Sequence, residues 1–365
     1  MHLYLHVPFC ARRCSYCDFA IAVRRETPSA EYVGAVLREW TARRAHPAWA
    51  GSPGLDSIYF GGGTPSRLAP EAIAELIARL GADHPLAPGV EITLEANPED
   101  VTPSAVAAWR AAGVNRLSLG VQSLDDRVLA WMHRTHDSRA VPAAVSAARA
   151  AGFDDISLDL IFGLPAELER DWSADLAAAL ALAPEHLSLY GLTTEPQTPL
   201  ARWTERGMVR PIEEQRYAAE YLTAHATLTA AGFEHYEVSN AARPGRRARH
   251  NSAYWGRAPY LGLGPSAHSA AGGERWWNLR EWTAYTRAMA EGREWVAGRE
   301  APDAASVRLE ELYLGLRTAD GAPARLVPEP AVARWVRSGW AELAGGRIRL
   351  TVEGWLRLDA LVAAV

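Results

Sequence analysis

The sequence predicts an α/β fold: a partial (β/α)6 barrel followed by a small α+β, winged-helix-like C-terminal domain. Three observations carry this expectation. Short apolar runs alternate with longer helix-like segments over roughly the first 190 residues, as in a parallel sheet with helices outside it. Chemically distinctive residues fall at the ends of successive strands: Cys10, Cys14 and Cys17 after the first, Gly61–Thr64 after the second, Glu95 after the third and Gln122 after the fourth, with Asp159 inside the fifth. A barrel brings such positions to one mouth, whereas an open sheet gathers only those beside its switch point. Beyond Gly191 the alternation gives way to a different pattern.

The strands are expected at Leu3–Val7, Ser57–Phe60, Glu91–Leu94, Arg116–Leu119, Ile156–Phe162 and His186–Tyr190. Helices are expected at Ala30–Arg43, from Pro70, and at Pro103–Ala112, Ala140–Ala151 and Asp171–Ala183. Thr27 is placed to cap the first helix, with Pro28 in its first turn. A long helix, Ile212–Ala231, then leads to a strand at Glu234–Val238 and an aromatic, Gly/Pro/Arg-rich stretch, Asn240–Trp277. The tail reads helix, helix, a strand pair (Trp340–Leu343 and Ile348–Thr351) and a last helix. The expected domains are therefore 1–239, 240–299 and 300–365.

At 365 residues the chain can bury a sizeable core. Its 38 basic and 43 acidic residues give a net charge of −5, which argues against a nucleic-acid partner. In the tail from Glu300, eight arginines face nine acids, so docking or packing is the better reading of that unit than DNA binding. Every basic residue is arginine, which excludes a Walker A loop and a Schiff-base lysine. All three cysteines lie within eight positions, unlike a disulfide framework, and this implies a reducing compartment. The N-terminus lacks signal-peptide character, and the longest apolar stretch, Ala177–Ala183, is too short for a membrane span. A cytoplasmic location is expected.

Cys10-x3-Cys14-x2-Cys17 supplies three thiolates from one loop. A [4Fe–4S] cluster is usually held by four cysteines, so three leave one iron open to an exchangeable molecule. Arg12 and Arg13 favour thiolates and an anionic cluster. Zinc with three cysteines and His6 or His2 is the alternative, although structural zinc sites usually use two separated ligand pairs. The motif resembles the signature of radical S-adenosylmethionine (SAM) proteins. That resemblance implies a partial (β/α)6 barrel whose cluster binds SAM through its open iron and cleaves it to a 5′-deoxyadenosyl radical.

Consecutive glycines in Gly61-Gly62-Gly63-Thr64-Pro65 let bare backbone approach a ligand. Singly, Glu95, Gln122 and Arg134 read as surface or turn residues. Asp159 inside an apolar strand is costly unless paired or lining a cavity. Together, in this order, the segments resemble the oxygen-independent coproporphyrinogen oxidase branch of the radical SAM proteins, from Tyr4 to about His268. The resemblance implies that Tyr4, Gly62 and Glu95 hold the cluster-bound SAM. It places Gly63, Thr64, Gln122, Arg134 and Asp159 around a second SAM site, with Tyr16 nearby.

Two departures separate the chain from the oxidases of that branch. The oxidases carry a further cysteine two residues after the third, where this chain has Phe19, and they have an N-terminal extension absent here. Both features resemble the HemW-type haem chaperones, as does His250-Asn251-Ser252-Ala253-Tyr254-Trp255, which fits the His-Asn-x-x-Tyr-Trp pattern of that group. Without the resemblance, His250 reads as an ordinary buried histidine. With it, a neutral imidazole is suited to ligate haem iron, Tyr254 and Trp255 offer flat faces to a porphyrin, and Arg243, Arg246, Arg247 and Arg249 offer charge to two propionates. His268 and His235 are further ligand candidates, and the sequence does not choose among them. The implied cofactors are the [4Fe–4S] cluster, SAM and haem. The implied partners are haem or porphyrin, a haem-acceptor protein that would bring the chain to a membrane periphery, and an electron donor for the cluster. Radical decarboxylation of coproporphyrinogen III is the enzymatic alternative, and RNA modification through the arginine cluster is a third reading.

Overall fold

The computed structural model describes residues 1–49 and 52–365. Six parallel strands lie side by side in chain order: β1 (His2–Val7), β2 (Leu55–Gly62), β3 (Leu86–Ala96), β4 (Arg116–Gln122), β5 (Ile156–Phe162) and β6 (His186–Gly191). Helices α1 (Ser29–Arg43), α2 (Pro70–Asp83), α3 (Pro103–Ala111), α4 (Asp126–Trp131), α5 (Ala140–Ala150) and α6 (Trp172–Ala181) fill the connections. Sequential parallel order without a switch point is the half-closed barrel expected from the strand-end residues. Alternation is clearest on β1. There Leu3, Leu5 and Val7 are fully buried, and Leu5 is level with Phe60 on β2. The intervening His2, Tyr4 and His6 sit level with Ser57, Tyr59 and Gly61. Period-two alternation sends these two sets to opposite faces of the sheet. The apolar set belongs to one continuous core with helix residues such as Trp40, Leu76 and Trp109.

After β6 come α7 (Pro199–Glu205), α8 (Glu214–Ala230), β7 (Glu234–Glu237), β8 (Asn240–Ala242), α9 (Arg249–Trp255), β9 (Tyr260–Leu263), β10 (His268–Ala271), β11 (Glu274–Asn278), α10 (Trp282–Ala290) and β12 (Val296–Glu300). The aromatic stretch expected to stand apart instead extends the same sheet at both edges. The full order is β12-β11-β10-β9-β1-β2-β3-β4-β5-β6-β8-β7, with β9 parallel to β1 and β8 antiparallel to β6. The expected boundary at 239/240 thus falls between two strands paired with each other. The tail comprises α11 (Ala304–Leu316), α12 (Glu329–Arg337), α13 (Val352–Trp355) and α14 (Leu358–Ala363). Its three-stranded sheet combines β13 (Ala322–Pro323), β14 (Ala341–Ala344) and β15 (Arg347–Leu350) in the order β13-β15-β14. Among the described residues, no helix is long and apolar enough to cross a membrane.

Two local expectations change. Thr27 does not cap α1; its hydroxyl is buried without a partner and Pro28 occupies the cap position. The last helix is two short ones broken at Leu356-Arg357.

Helix α9 is anchored by residues of the barrel interior. The Glu91 carboxylate accepts hydrogen bonds from the backbone N–H groups of Arg249 and His250, at 2.9 Å each, so an anion satisfies the helix start. His250 packs on the faces of Tyr59 and Tyr4, with ring centroids 5.0 and 6.4 Å away. The helix start therefore packs against the N-terminal halves of β1, β2 and β3, inside the barrel.

Candidate functional site: two adjoining cavities

A cleft of about 360 Å³ opens at the C-terminal ends of the parallel strands. Cys10, Cys14 and Cys17 line one wall; Gly62–Thr64, Glu95, Gln122, Arg134, Asp159 and Tyr16 line the others. Loop chemistry brought together from four strand ends and one strand interior thus converges on one cleft. Backbone geometry explains the glycines. Gly62 has φ +117°, and a Cβ there would sit 2.7 Å from the His6 ring. A Cβ on Gly63 would meet the Pro8 carbonyl at 2.9 Å and Cys10 Sγ at 3.0 Å. Gln122 also holds a positive φ, +69°, without being glycine, a strained conformation of the kind that clusters at binding sites.

The thiols lack strong internal partners. Thr64 Oγ1 donates to Cys10 Sγ at 3.4 Å and Arg134 to Cys14 Sγ at 3.6 Å. Burial raises the Cys10 pKa and pushes that of Cys17 up to about 11. Both stay protonated at neutral pH unless a cation draws off the proton, as a coordinating metal does. Among the described residues, no three His, Cys, Asp or Glu side chains are already drawn together as metal ligands. The donor set is nonetheless sulfur only, on one cleft wall, which suits an iron–sulfur cluster. A three-cysteine zinc site completed by histidine fits poorly. His2 lies at the far end of β1 and bonds Ser57, while His6 Nε2 bonds the Ala20 carbonyl at 2.9 Å.

Glu95 is the best-defined polar group of the cleft. Its carboxylate accepts from the Tyr59 hydroxyl at 2.8 Å and from the Gly62 backbone N–H at 3.1 Å. Burial lifts its pKa to about 7, with the nearby Asp159 also raising it and the Tyr59 and Gly62 hydrogen bonds opposing. The folded pKa therefore lies above the ordinary 4.5. As pH rises from about 4.5 to 7 the unfolded chain loses this proton first, so stability falls across that window and levels off above it. Glu95→Gln cannot ionise. Melting curves across this window are expected to show the variant gaining on the native chain as pH rises; parallel curves would reject the assignment.

Asp159 accepts from the Ser118 hydroxyl at 3.1 and 3.2 Å, and burial raises its pKa. Arg134 donates to Asn97 Oδ1 at 2.6 Å and to the Gly120 carbonyl at 2.8 Å. Tyr16 packs against a small apolar cluster that includes Met132 and Ile161. Sequence reasoning missed Ser118 and Tyr190, which line the cleft, and Tyr59, which holds Glu95. The alternating polar positions along each strand were the signal that could have found them.

Tyr4 faces a second, larger cavity of about 960 Å³, which adjoins the cleft through the shared residues Phe19, Gly62 and Glu95. Its walls are aromatic, with Tyr254, Trp255, Tyr260 and Trp277, and carry charges of both signs: Arg257, Arg275 and Arg280 beside Asp18, Glu95, Glu274, Glu300 and Glu310. The His-Asn-x-x-Tyr-Trp segment divides here. Tyr254 and Trp255 line the cavity, whereas His250 and Asn251 do not. His250 is 1% exposed, with Nδ1 bonded to Ser57 Oγ at 2.7 Å and Nε2 to the Tyr254 hydroxyl at 2.7 Å. Both ring nitrogens are thus hydrogen-bonded, one to β2 and one to Tyr254 one helical turn on, on the same face of α9. The Arg243–Arg249 cluster does not serve the cavity either. Arg243 bonds the Ala231 carbonyl, Arg246 pairs with Asp154 and Asp155, Arg247 with Glu234 and Asp320, and Arg249 with Glu91. His235 is buried against His225 and Trp355, away from both cavities. Arg257, Arg275 and Arg280 were not recognised in the sequence, since arginines are frequent throughout it.

A half barrel with a three-cysteine cleft at its mouth defines a radical SAM protein, and residues 4–178 match the radical SAM superfamily. The fold is shared with the radical SAM enzyme coproporphyrinogen III oxidase (HemN) of Escherichia coli, at TM-score 0.81 and 23% identity over 99% of this chain and 88% of that one. Within the superfamily the chain belongs to the HemW haem chaperones. It is 39% identical to haem chaperone HemW of Mycobacterium tuberculosis over 99% of this chain and 93% of the relative. It is 37% identical to haem chaperone HemW of Synechocystis over 87% of this chain and 78% of the relative.

Proposed function

We propose that this protein is a haem chaperone. It holds a [4Fe–4S] cluster on Cys10, Cys14 and Cys17, binds SAM in the adjoining cleft, and carries haem in the larger cavity for delivery to an acceptor protein. The observation that carries this reading is the pairing of a three-thiol cleft with a larger, aromatic-walled cavity across a shared wall, in a chain similar over nearly its whole length to haem chaperones. The bound cluster supplies an open iron for SAM and an electron for sulfonium cleavage. The chain's own groups position the ligands. The Gly62 backbone and the Glu95 carboxylate offer an acceptor to the SAM amino group. Thr64, Gln122, Arg134, Asp159 and Tyr16 line the remaining cleft, where a second SAM would lie.

Free thiols suit a chain that works in the cytoplasm and reaches a membrane only through its acceptor. Decarboxylation of coproporphyrinogen III has one observation in its favour, the oxidase-like fold, and fold alone does not assign chemistry. The discriminating experiment supplies reconstituted, reduced protein with SAM and either haem or coproporphyrinogen III. Stoichiometric haem binding without protoporphyrinogen formation is expected. Turnover of coproporphyrinogen would replace this reading with the enzymatic one.

A further inference from the structure

We propose that His268, and not His250, is the protein ligand to the haem iron, with Arg280 receiving a propionate. The proposal rests on the haem-chaperone reading above and names the groups that would hold the cargo.

Iron in haem takes its protein ligand from His, Cys, Met or Tyr. Neither Cys nor Met lines the large cavity. Its candidate donors are Tyr4, His6, Tyr254, Tyr260 and His268. Tyr4 and His6 are bonded to each other at 3.2 Å, and His6 Nε2 is held by the Ala20 carbonyl. The Tyr254 hydroxyl is bonded to His250. Tyr260 packs edge-on against Tyr254, at 4.6 Å between centroids, and burial pushes its pKa up, so the phenol keeps its proton. His268 alone presents an exposed imidazole, and neither of its ring nitrogens is hydrogen-bonded among the described residues.

The ring is also held in place. His268 opens β10 directly opposite Trp277 on β11, and the two rings stack at 5.7 Å and 23°. Trp277 in turn lies over Gly298 of β12, where a Cβ would come within 2.3 Å of the indole. Three adjacent strands thus place glycine, tryptophan and histidine side by side, with the indole and the imidazole both on the cavity wall. A rigid support of this kind lowers the entropic cost of ligation. Burial lowers the His268 pKa, which favours the neutral ring that ligates iron.

The cations on the rim are not equivalent. Arg257 and Arg275 share Glu310, and Arg275 also pairs with Glu300. Arg280 pairs with no carboxylate among the described residues; it donates to the Asp18 carbonyl. Its charge is the one available to a propionate. Asp18 comes directly after Cys17, so the same guanidinium touches the cysteine loop.

The test titrates ferric haem into the full-length protein and follows the Soret band, comparing the native chain with His268→Ala, Tyr254→Phe and Arg280→Ala. Native protein is expected to bind. In His268→Ala the band should shift and affinity fall roughly tenfold or more, and free imidazole should restore the native band position. His268 makes no side-chain hydrogen bond among the described residues, so the variant loses only its stacking on Trp277 and should still unfold in one cooperative transition; that transition, with rescue by imidazole, separates lost ligation from lost fold. Arg280→Ala should weaken binding without moving the band. An unchanged band in His268→Ala, or a shift in Tyr254→Phe alone, overturns the assignment while leaving the chaperone reading intact. Failure of the native chain to bind haem removes both.

Discussion

Cys14→Ser is expected to strip anaerobically reconstituted protein of nearly all its iron, from about four atoms per chain to below about one. A hydroxyl is a hard, weakly acidic donor and does not replace a thiolate on soft iron. Two remaining cysteines then leave two irons of a cubane without protein ligands. The fold should survive, because Cys14 is only half buried and its one side-chain partner is the distant Arg134 guanidinium. Iron and labile sulfide analysis, with the visible absorption of the cluster, reads the result directly. Retention of native iron content would refute the cluster assignment. Haem binding should persist in the same variant, since no cysteine lines the larger cavity.

Glu39→Ala is expected to cost stability by about 3 kcal/mol or more. Glu39 is fully buried in α1. Its carboxylate accepts from the Gly264 backbone N–H at 2.8 Å, Asn278 Nδ2 at 2.6 Å, the Tyr285 hydroxyl at 2.6 Å and Trp295 Nε1 at 3.3 Å. One side chain thereby ties the first helix to the β9–β10 turn, to β11 and to α10, the elements that carry the His268 wall. Removing it orphans several buried donors at once, and each unsatisfied group costs about 1–3 kcal/mol. Chemical denaturation measures the loss. A midpoint shift equivalent to less than about 1 kcal/mol would show that water or repacking replaces the carboxylate.

The parallel strands were legible because their outward faces are apolar, but only in part. Expected Glu91–Leu94 is the buried heart of Leu86–Ala96, and Ser57–Phe60 is the heart of Leu55–Gly62. The flanking segments are interrupted by Asp56, Pro88, Gly89, Gly61 and Gly62, so unbroken apolar runs understate strand length. The cysteine, glycine and Glu95 positions were legible because the barrel converts sequence position after a strand into position at a mouth. Helix α9 was not legible. It is short, and Arg249–Trp255 presents polar groups to a polar barrel interior, so no apolar stripe of helical period marks it. The same cause hid the role of His250. Its burial depends on Ser57, Tyr59 and Glu91, all distant in sequence, and the motif alone does not reveal that its first and last residues point to different surroundings. Strands β9 to β12 escaped detection because four- and five-residue runs interrupted by glycine and tryptophan have no clear alternation.

The strands added after Gly191 have a consequence for how this chain avoids aggregation. Without them, β1 and β6 would each present a full row of unsatisfied backbone donors and acceptors to other molecules. β9 pairs with β1 and β8 with β6. The outermost strands are then short and charged: Glu234–Glu237 on one side, Val296–Glu300 on the other. At the β1 border the shield is the same run of strands, β9 to β12, that lines the larger cavity, so trimming it would expose a sticky border and open that cavity together.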